Sequence, residues 1–173
     1  MTVVHATNTY NVEASINTYF KAAFTAMTRP TFLPTPIPTA ENTPEVTASL
    51  PTFSFVHLPA GSLDIFQGRH ATETLTAMRD LGILDLSVWV SRKNVNFMAQ
   101  LRFMQAMIET AYLDSKSGVI IKDYATSATN PQATSFRVTF NDLDIVVVAD
   151  DPNPDILRRR CLVKYQWEMR SQN

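Results

Sequence analysis

The run RRRCLVKYQWEMR, residues 158–170, alternates apolar or aromatic side chains with charged or polar ones along its length. Successive side chains of a β-strand point to opposite faces of a sheet, so this period of two predicts one long strand. One predicted face carries Arg159, Cys161, Val163, Tyr165, Trp167 and Met169, and the other carries Arg158, Arg160, Leu162, Lys164, Gln166, Glu168 and Arg170. The chain must therefore build a sheet with an apolar face, which other elements must cover.

Two other segments have apolar residues at the spacing of a helix face. Asn11 is the candidate N-cap of the first, which runs from about residue 12 to residue 27, and Asn94 or Asn96 caps the second. The first stripe consists of Ile16, Phe20, Ala23, Phe24 and Met27, and the second of Phe97, Leu101, Met104, Ile108, Ala111 and Tyr112. These stripes predict two helices packed on the sheet.

Further strands are predicted in TFSFVHL (52–58), ILDLSVWVS (83–91), VIIKDY (119–124), TSFRVTF (134–140) and LDIVVVA (143–149). A tight turn at Asn141 and Asp142 would join the last two as a hairpin, and the apolar end of LDIVVVA is typical of a central strand. For residues 61–80 we expect a loop with a short helix around residues 71–79. The order helix, two strands, helix, four strands predicts an α+β fold with a mainly antiparallel sheet.

Residues 28–51, TRPTFLPTPIPTAENTPEVTASLP, are rich in proline and threonine. Proline fixes φ and lacks an N–H donor, so this segment is expected to be an extended arm rather than a helix or a central strand. Connections of this length are uncommon within a compact domain. The arm is either a surface linker or a segment laid across a partner, with Phe32, Leu33 and Ile37 as its apolar contacts.

The totals predict one domain over residues 1–173, because a chain of this length can bury a single sizeable core. The net charge of −1 gives no sign of a nucleic-acid-binding protein. Neither a signal peptide nor a membrane-spanning run is recognisable, so we expect a soluble chain that is intracellular when made. The lone Cys161 cannot form a disulfide within the chain and is expected to be a buried apolar residue.

No catalytic pattern emerges from the reactive residue types. The acids near residue 150 lack the glycine and the closing glutamate of a calcium loop, and the Asp-Ser-Lys triplet at residues 114–116 precedes Pro154-Asp155, the wrong order for a nuclease motif. The histidines are widely spaced, and His57 is expected to be a hydrogen-bonded core residue. Four glycines supply neither a nucleophile elbow nor a phosphate loop. We therefore expect no enzyme activity, no cofactor and no metal site.

A concentrated acidic turn stands directly before a basic strand. Asp150, Asp151 and Asp155 precede the basic residues of that strand's polar face, which are Arg158, Arg160 and Lys164. Three interpretations remain open: a solvated, charge-balanced strand, a salt-bridged contact between subunits, or a DNA-binding row that the neighbouring acids would weaken.

The segments NPDILRRRCLVKYQWEMRS, GILDLSVWVSRKN and NFMAQLRFMQAMIE, in an element order that spans residues 52–171, resemble tail terminator proteins of long-tailed bacteriophages. The resemblance implies a structural virion protein that forms a ring, commonly a hexamer, at the top of the tail. Such a ring ends growth of the tail tube and joins the tail to the head connector. Its implied partners are further copies of itself, the tail tube protein and the connector or adaptor, with no membrane.

This resemblance also implies where the charges would act. In a head-to-tail ring, the acidic turn of one subunit, with Asp150, Asp151 and Asp155, would meet the basic strand of the next, and genomic DNA would pass through the channel without specific recognition. The protein would reside in the virion, and in the host cytoplasm during assembly. The alternatives are a head-completion adaptor, a tail-tube protein or, in a different class, a small DNA-binding accessory domain.

Overall fold

The fold is an α+β arrangement of two helices on a mostly antiparallel sheet, as the sequence predicts. The computed structural model describes the backbone of residues 5–41, 50–59, 64–70, 73–148 and 153–172, and the side chains of residues 9–41, 50–58, 79–148 and 153–169. The elements are α1 (His5–Ala26), β1 (Thr39–Ala40), β2 (Thr52–Pro59), β3 (Asp64–His70), β4 (Glu73–Ser91), α2 (Phe97–Asp114), β5 (Val119–Asp123), β6 (Gln132–Val147) and β7 (Ile156–Gln172).

The strands lie in the order β1-β2-β4-β7-β6-β5, and β3 pairs with the first part of β4 on the same side as β2. Only the short pairing of β1 with β2 is parallel. The centre of the sheet is the pair of long strands β4 and β7, which stay in register from the pair Leu75 and Gln172 to the pair Ser91 and Ile156. β2 and β3 pair with β4, β6 pairs with β7, and β1 and β5 extend the sheet from β2 and β6.

The alternation of β7 determines the two faces of the sheet. The inner face, which the helices cover, contains Cys161, Val163, Tyr165, Trp167 and Met169, all buried as predicted. On β4 the inner face consists of Leu84, Leu86, Val88 and Val90, which recur at a period of two in the sequence and are buried. The opposite, outer face contains Arg158, Arg160, Leu162 and Lys164 of β7 beside Asp85, Ser87 and Trp89 of β4.

Both helices bury the stripe that their apolar spacing predicts. In α1 the residues Val12, Ile16, Phe20 and Phe24 recur every four positions and are buried. In α2 the buried residues are Gln100, Leu101, Met104, Met107, Ile108 and Ala111. The two helices and the inner face share one hydrophobic core.

Two predicted boundaries near the N-terminal half are wrong. The first helix begins at His5 rather than near residue 12, so Asn11 lies inside it. Its side chain is buried and bonds to β5 and the turn after it, accepting from the Tyr124 N–H at 2.9 Å. The predicted helix around residues 71–79 is also wrong, because β4 already begins at Glu73. There β4 pairs with β3 on one side and β7 on the other, and this tertiary pairing outweighs a weak local helix preference.

The predicted hairpin at Asn141 and Asp142 is wrong as well, so three long strands rather than four follow α2. Residues 132–147 form the single strand β6, with a β-bulge where Phe140 pairs with Tyr165 and Asp142 with Lys164. Asn141 is the extra residue, and it shifts the alternation of the strand by one position. Because the inner-face apolar residues change from even to odd positions at Asn141, the sequence of β6 resembles two separate strands.

Candidate interaction surfaces

A charge cluster on the outer face joins β4 to β7. One oxygen of the Asp85 carboxylate accepts hydrogen bonds from Arg158 Nη2 at 3.1 Å and from Arg160 Nε at 2.8 Å. Its other oxygen accepts a bond of 2.7 Å from the Ser87 hydroxyl, and that hydroxyl in turn accepts from Arg158 Nε. Asp85 is buried while both guanidinium groups keep partial access to solvent. The carboxylate thus has three donors, which compensates its burial.

Trp89 continues this cluster towards β2. The Arg158 guanidinium lies over the indole ring with its carbon 4.5 Å from the ring centre, a cation–π contact. The indole N–H donates to the Ser54 hydroxyl at 2.7 Å. Trp89 is therefore buried although it lies on the outer face of the sheet.

Lys164 has its own pair of acids on the outer face. Its ammonium group lies 2.9 Å from the Asp144 carboxylate and 3.0 Å from that of Asp142, both on the neighbouring strand β6. The bonds to Asp144 and Asp142 raise the pKa of Lys164, and the bond from Lys164 lowers the pKa of Asp142. These groups are exposed, so water screens the attraction and it contributes little to stability.

The acidic turn is described only in part. Asp150 and Asp151 lie outside the described residues. Asp155 forms an ion pair with Lys93 at 2.8 Å, and its carbonyl accepts from the Arg92 N–H. Arg158 and Arg160 have Asp85 as a partner in the same chain, so each basic residue of the predicted contact already has an acid beside it. The pairing of these charges between subunits stays a prediction.

The described part of the proline-rich arm packs on its own chain. Leu33 and Ile37 are buried in the hydrophobic core. The aromatic rings of Phe32 and Phe103 pack edge to face. The backbone carbonyl of Phe32 accepts a 2.8 Å hydrogen bond from the side-chain amide of Gln100 in α2. Residues 39–40 then add the parallel strand β1 to β2. Leu33 and Ile37 thus have partners within the chain, the arm's residues 42–49 lie outside the described ranges, and contact of this segment with a partner stays a prediction.

The second half of β6 is an exposed apolar segment at the margin of the sheet. On the inner face Ile145 is 41% exposed and Val147 is 65% exposed, and on the outer face Val146 is 38% exposed. The prediction that this segment is a central strand is therefore wrong. Its apolar composition is real, but these three side chains are exposed and do not belong to the hydrophobic core.

The backbone edge of the same segment is also unpaired among the described residues. β5 pairs with β6 only from Gln132 to Val138, whereas β7 pairs with the other side of β6 as far as Val147. Residues 139–147 therefore present an open edge of N–H and C=O groups beside exposed apolar side chains. An open edge of this kind is a template for pairing with another chain.

His57 and Cys161 are core residues, as expected. The Nε2 atom of His57 lies 2.8 Å from Asn17 Oδ1, and its Nδ1 atom lies 3.1 Å from the Tyr165 hydroxyl. Burial lowers the pKa of His57 to about 4. Burial likewise raises the pKa of the Cys161 thiol to about 12, so the thiol stays protonated. Neither group is poised as a base or a nucleophile near neutral pH.

Sequence reasoning missed Asp85 and the exposure of the end of β6. A signal existed for Asp85, because it is the one acid in the otherwise apolar run ILDLSVWV, and an acid inside a strand needs a buried donor. Nothing in the sequence indicates that the second half of β6 is exposed, because a buried central strand and an exposed edge strand can have the same apolar sequence.

The chain matches no protein-family profile and no curated protein sequence. No helix in the described ranges has an apolar stretch long enough to cross a membrane. Within those same ranges, no three His, Cys, Asp or Glu side chains lie close enough together to hold a metal ion.

Proposed function

We propose that this chain is a structural virion protein that forms a ring at the top of a bacteriophage tail, ends growth of the tail tube and joins the tail to the head connector. The observation that carries the proposal is the second half of β6, where Ile145, Val146 and Val147 are exposed on both faces of a strand. A strand that exposes apolar side chains on both faces is suited to burial against another subunit. The resemblance of the sequence to tail terminators supplies the kind of assembly.

The charges support a passive channel rather than a DNA-binding surface. The chain has a net charge of −1, and Asp85 already neutralises part of the charge of Arg158 and Arg160. Each uncompensated cation that contacts a phosphate adds salt-dependent affinity, which would retard DNA that must pass through the ring. The ring would assemble in the host cytoplasm and remain in the virion.

Removal of the gene from the encoding virus tests this function. We expect cells infected by the deletion virus to contain DNA-filled heads without tails, together with tails of variable length, because nothing would end tube growth. Electron microscopy of the lysate measures both. A complete absence of tails would indicate a tube protein, and tails of normal length beside leaking heads would indicate a head-completion adaptor. Normal joined particles would contradict all three.

The DNA-binding alternative has its own measurement. If the chain binds DNA, we expect a monomer or dimer that is retained on a heparin column and released by salt. If it forms a ring, we expect particles whose mass is a multiple of the 19.4 kDa chain. Mass photometry of the purified protein and of the isolated tails, with the heparin elution measured in parallel, separates the two functions.

A further inference from the structure

We propose that successive copies of the chain join edge to edge, with the open edge of β6 in one copy pairing antiparallel with the open edge of β2 in the next. This inference specifies how the subunits of the proposed ring join, and it rests on that proposal for the number of copies. The pairing itself follows from the two margins of the sheet, their direction and their charge.

The second open margin lies at the other end of the sheet. β1 pairs with β2 only at Phe53 and Ser54. From Phe55 to Pro59, β2 is hydrogen-bonded to β4 on one side and has no strand on the other side among the described residues. Among the described residues, β6 and β2 thus each contain a stretch without a strand on one side, towards opposite ends of the sheet.

Strand direction makes the two edges compatible. β2, β4, β7 and β6 are neighbours in that order, and each pairs antiparallel with the next. Four alternating strands leave β2 and β6 running in opposite directions. When the copies follow one another with the sheet continuing across the joint, β6 therefore meets the next β2 as an antiparallel neighbour, and the alternation is unbroken.

Charge favours β2 over a second β6 as the partner. A two-fold pairing of β6 with β6 would also be antiparallel, but it would bring Asp142 and Asp144 of both copies together, and in each copy these two acids share Lys164. Like charges opposite each other destabilise a sheet. The open part of β2, Phe-Val-His-Leu-Pro, has no acid, and burial lowers the pKa of His57, its only titratable side chain, to about 4. A head-to-tail joint also uses both edges and permits a closed ring, whereas a two-fold joint stops at a dimer.

Apolar side chains at the two edges match. On the outer face, Leu58 of β2 and Val146 of β6 are each 38% exposed. If the sheet continued from one copy to the next, these two side chains would lie on the same face, either directly opposite each other or two residues apart along the strands. Their burial would stabilise the joint in addition to the new backbone hydrogen bonds.

Cysteine cross-linking tests the joint directly. In the double variant Leu58→Cys with Val146→Cys, and in a second register with Val56→Cys in place of Leu58→Cys, oxidation of the concentrated purified protein should give a ladder of covalent multimers. Each single variant should stay uncross-linked, and an equimolar mixture of the two single variants should give dimers only. The native Cys161 is fully buried and does not interfere. Dimers from Val146→Cys alone would overturn the proposal in favour of β6–β6 pairing, and no cross-link in either register would overturn it outright.

A charge placed on the edge gives an independent readout. Val146→Lys with Val147→Lys should abolish the multimers while the far-ultraviolet circular dichroism spectrum stays unchanged, since lysine on an edge strand blocks pairing. Val95→Lys is the matched control, because Val95 is 95% exposed in the turn before α2 and belongs to neither edge strand. Multimers that survive the edge substitutions would contradict the proposal.

The two proposals can fail separately. Cross-linked multimers, together with normal tails in the deletion virus, would retain the edge pairing and reject the tail function. Unterminated tails in the deletion virus, without cross-links in the purified protein or in isolated tails, would retain the function and reject the edge pairing.

Discussion

At the scale of single residues, Asp85 holds the outer face of the sheet together. Its carboxylate is buried and receives donors from Ser87, Arg158 and Arg160. Removing one member of such a buried group leaves the others without a counter-charge, and this loss exceeds the net stability that the intact group contributes.

We expect Asp85→Asn to lower the free energy of unfolding by about 2 kcal/mol, less than for a fully buried pair because both arginines retain some access to water. Asp155→Asn is the matched control: its pair with Lys93 is exposed, and we expect a loss below about 0.5 kcal/mol. Urea unfolding of both variants measures the difference. Equal losses would show that the Asp85 cluster behaves like a surface pair.

His57 gives the fold a pH dependence. Burial lowers its pKa from 6.5 to about 4, and Asn17 and Tyr165 fill the hydrogen-bonding positions of the neutral ring. In the unfolded chain the imidazole takes up a proton as the pH falls through about 6.5, whereas the folded chain takes it up only near pH 4.

This contribution to stability is therefore complete above about pH 6.5 and is lost as the pH falls towards 4, at up to about 1.4 kcal/mol per pH unit. In His57→Gln we expect a shallower fall of the unfolding free energy between these pH values. Urea unfolding at several pH values, taken as the difference between the variant and the natural chain, isolates His57 from the carboxylates and the other histidines. Parallel curves would show that His57 does not titrate differently on folding.

At the scale of elements, the bulge at Asn141 determines which side chains β6 presents to each face. Before it, Val138 and Phe140 point to the inner face; after it, Leu143 and Ile145 do so. Phe140 packs with Phe20, with their ring centres 5.6 Å apart. The extra residue thus keeps apolar side chains on the inner face in both halves of the strand.

Two single-residue deletions test this role. Deleting Asn141 leaves Phe140 opposite Tyr165 and Asp142 opposite Lys164 in a regular ladder, so we expect a change in unfolding free energy within about 1 kcal/mol. Deleting Thr139 instead turns Phe140 to the outer face and Asn141 to the inner one, with a loss of about 2 kcal/mol or more. Thermal and urea unfolding compare the two variants. A larger loss for the Asn141 deletion would show that the bulge itself is required.

At the scale of the whole molecule, the two helices cover the inner face of the sheet, and two stretches of strand have no neighbouring strand on one side among the described residues. One is the second half of β6, with its exposed apolar side chains, and the other is β2 from Phe55 to Pro59. Because the number of long strands between the margins is even, both can be used by a repeating head-to-tail contact. This arrangement is the basis of the proposed head-to-tail pairing between copies of the chain.

The sequence by itself determined the fold class, the apolar faces of β4 and β7, and the buried stripes of both helices. These follow from a period of two in Leu84–Leu86–Val88 and a period near four in the helices, which are local properties of the chain. The burial of Cys161 and the half-buried, hydrogen-bonded position of His57 also followed, since each lies on an apolar strand face.

Only the tertiary structure decided where these elements end and what surrounds them. Residues 73–79 became a strand because β3 and β7 pair with them, and residues 132–147 became one strand because β7 continues past Asn141. Arg158, Arg160 and Lys164 form ion pairs with acids on neighbouring strands. These acids are far from the basic residues in the sequence. The exposure of Val147 likewise depends on which distant segments pack over the end of β6. Contacts between distant segments determine each of these features, and a periodicity read along one segment contains no information about them.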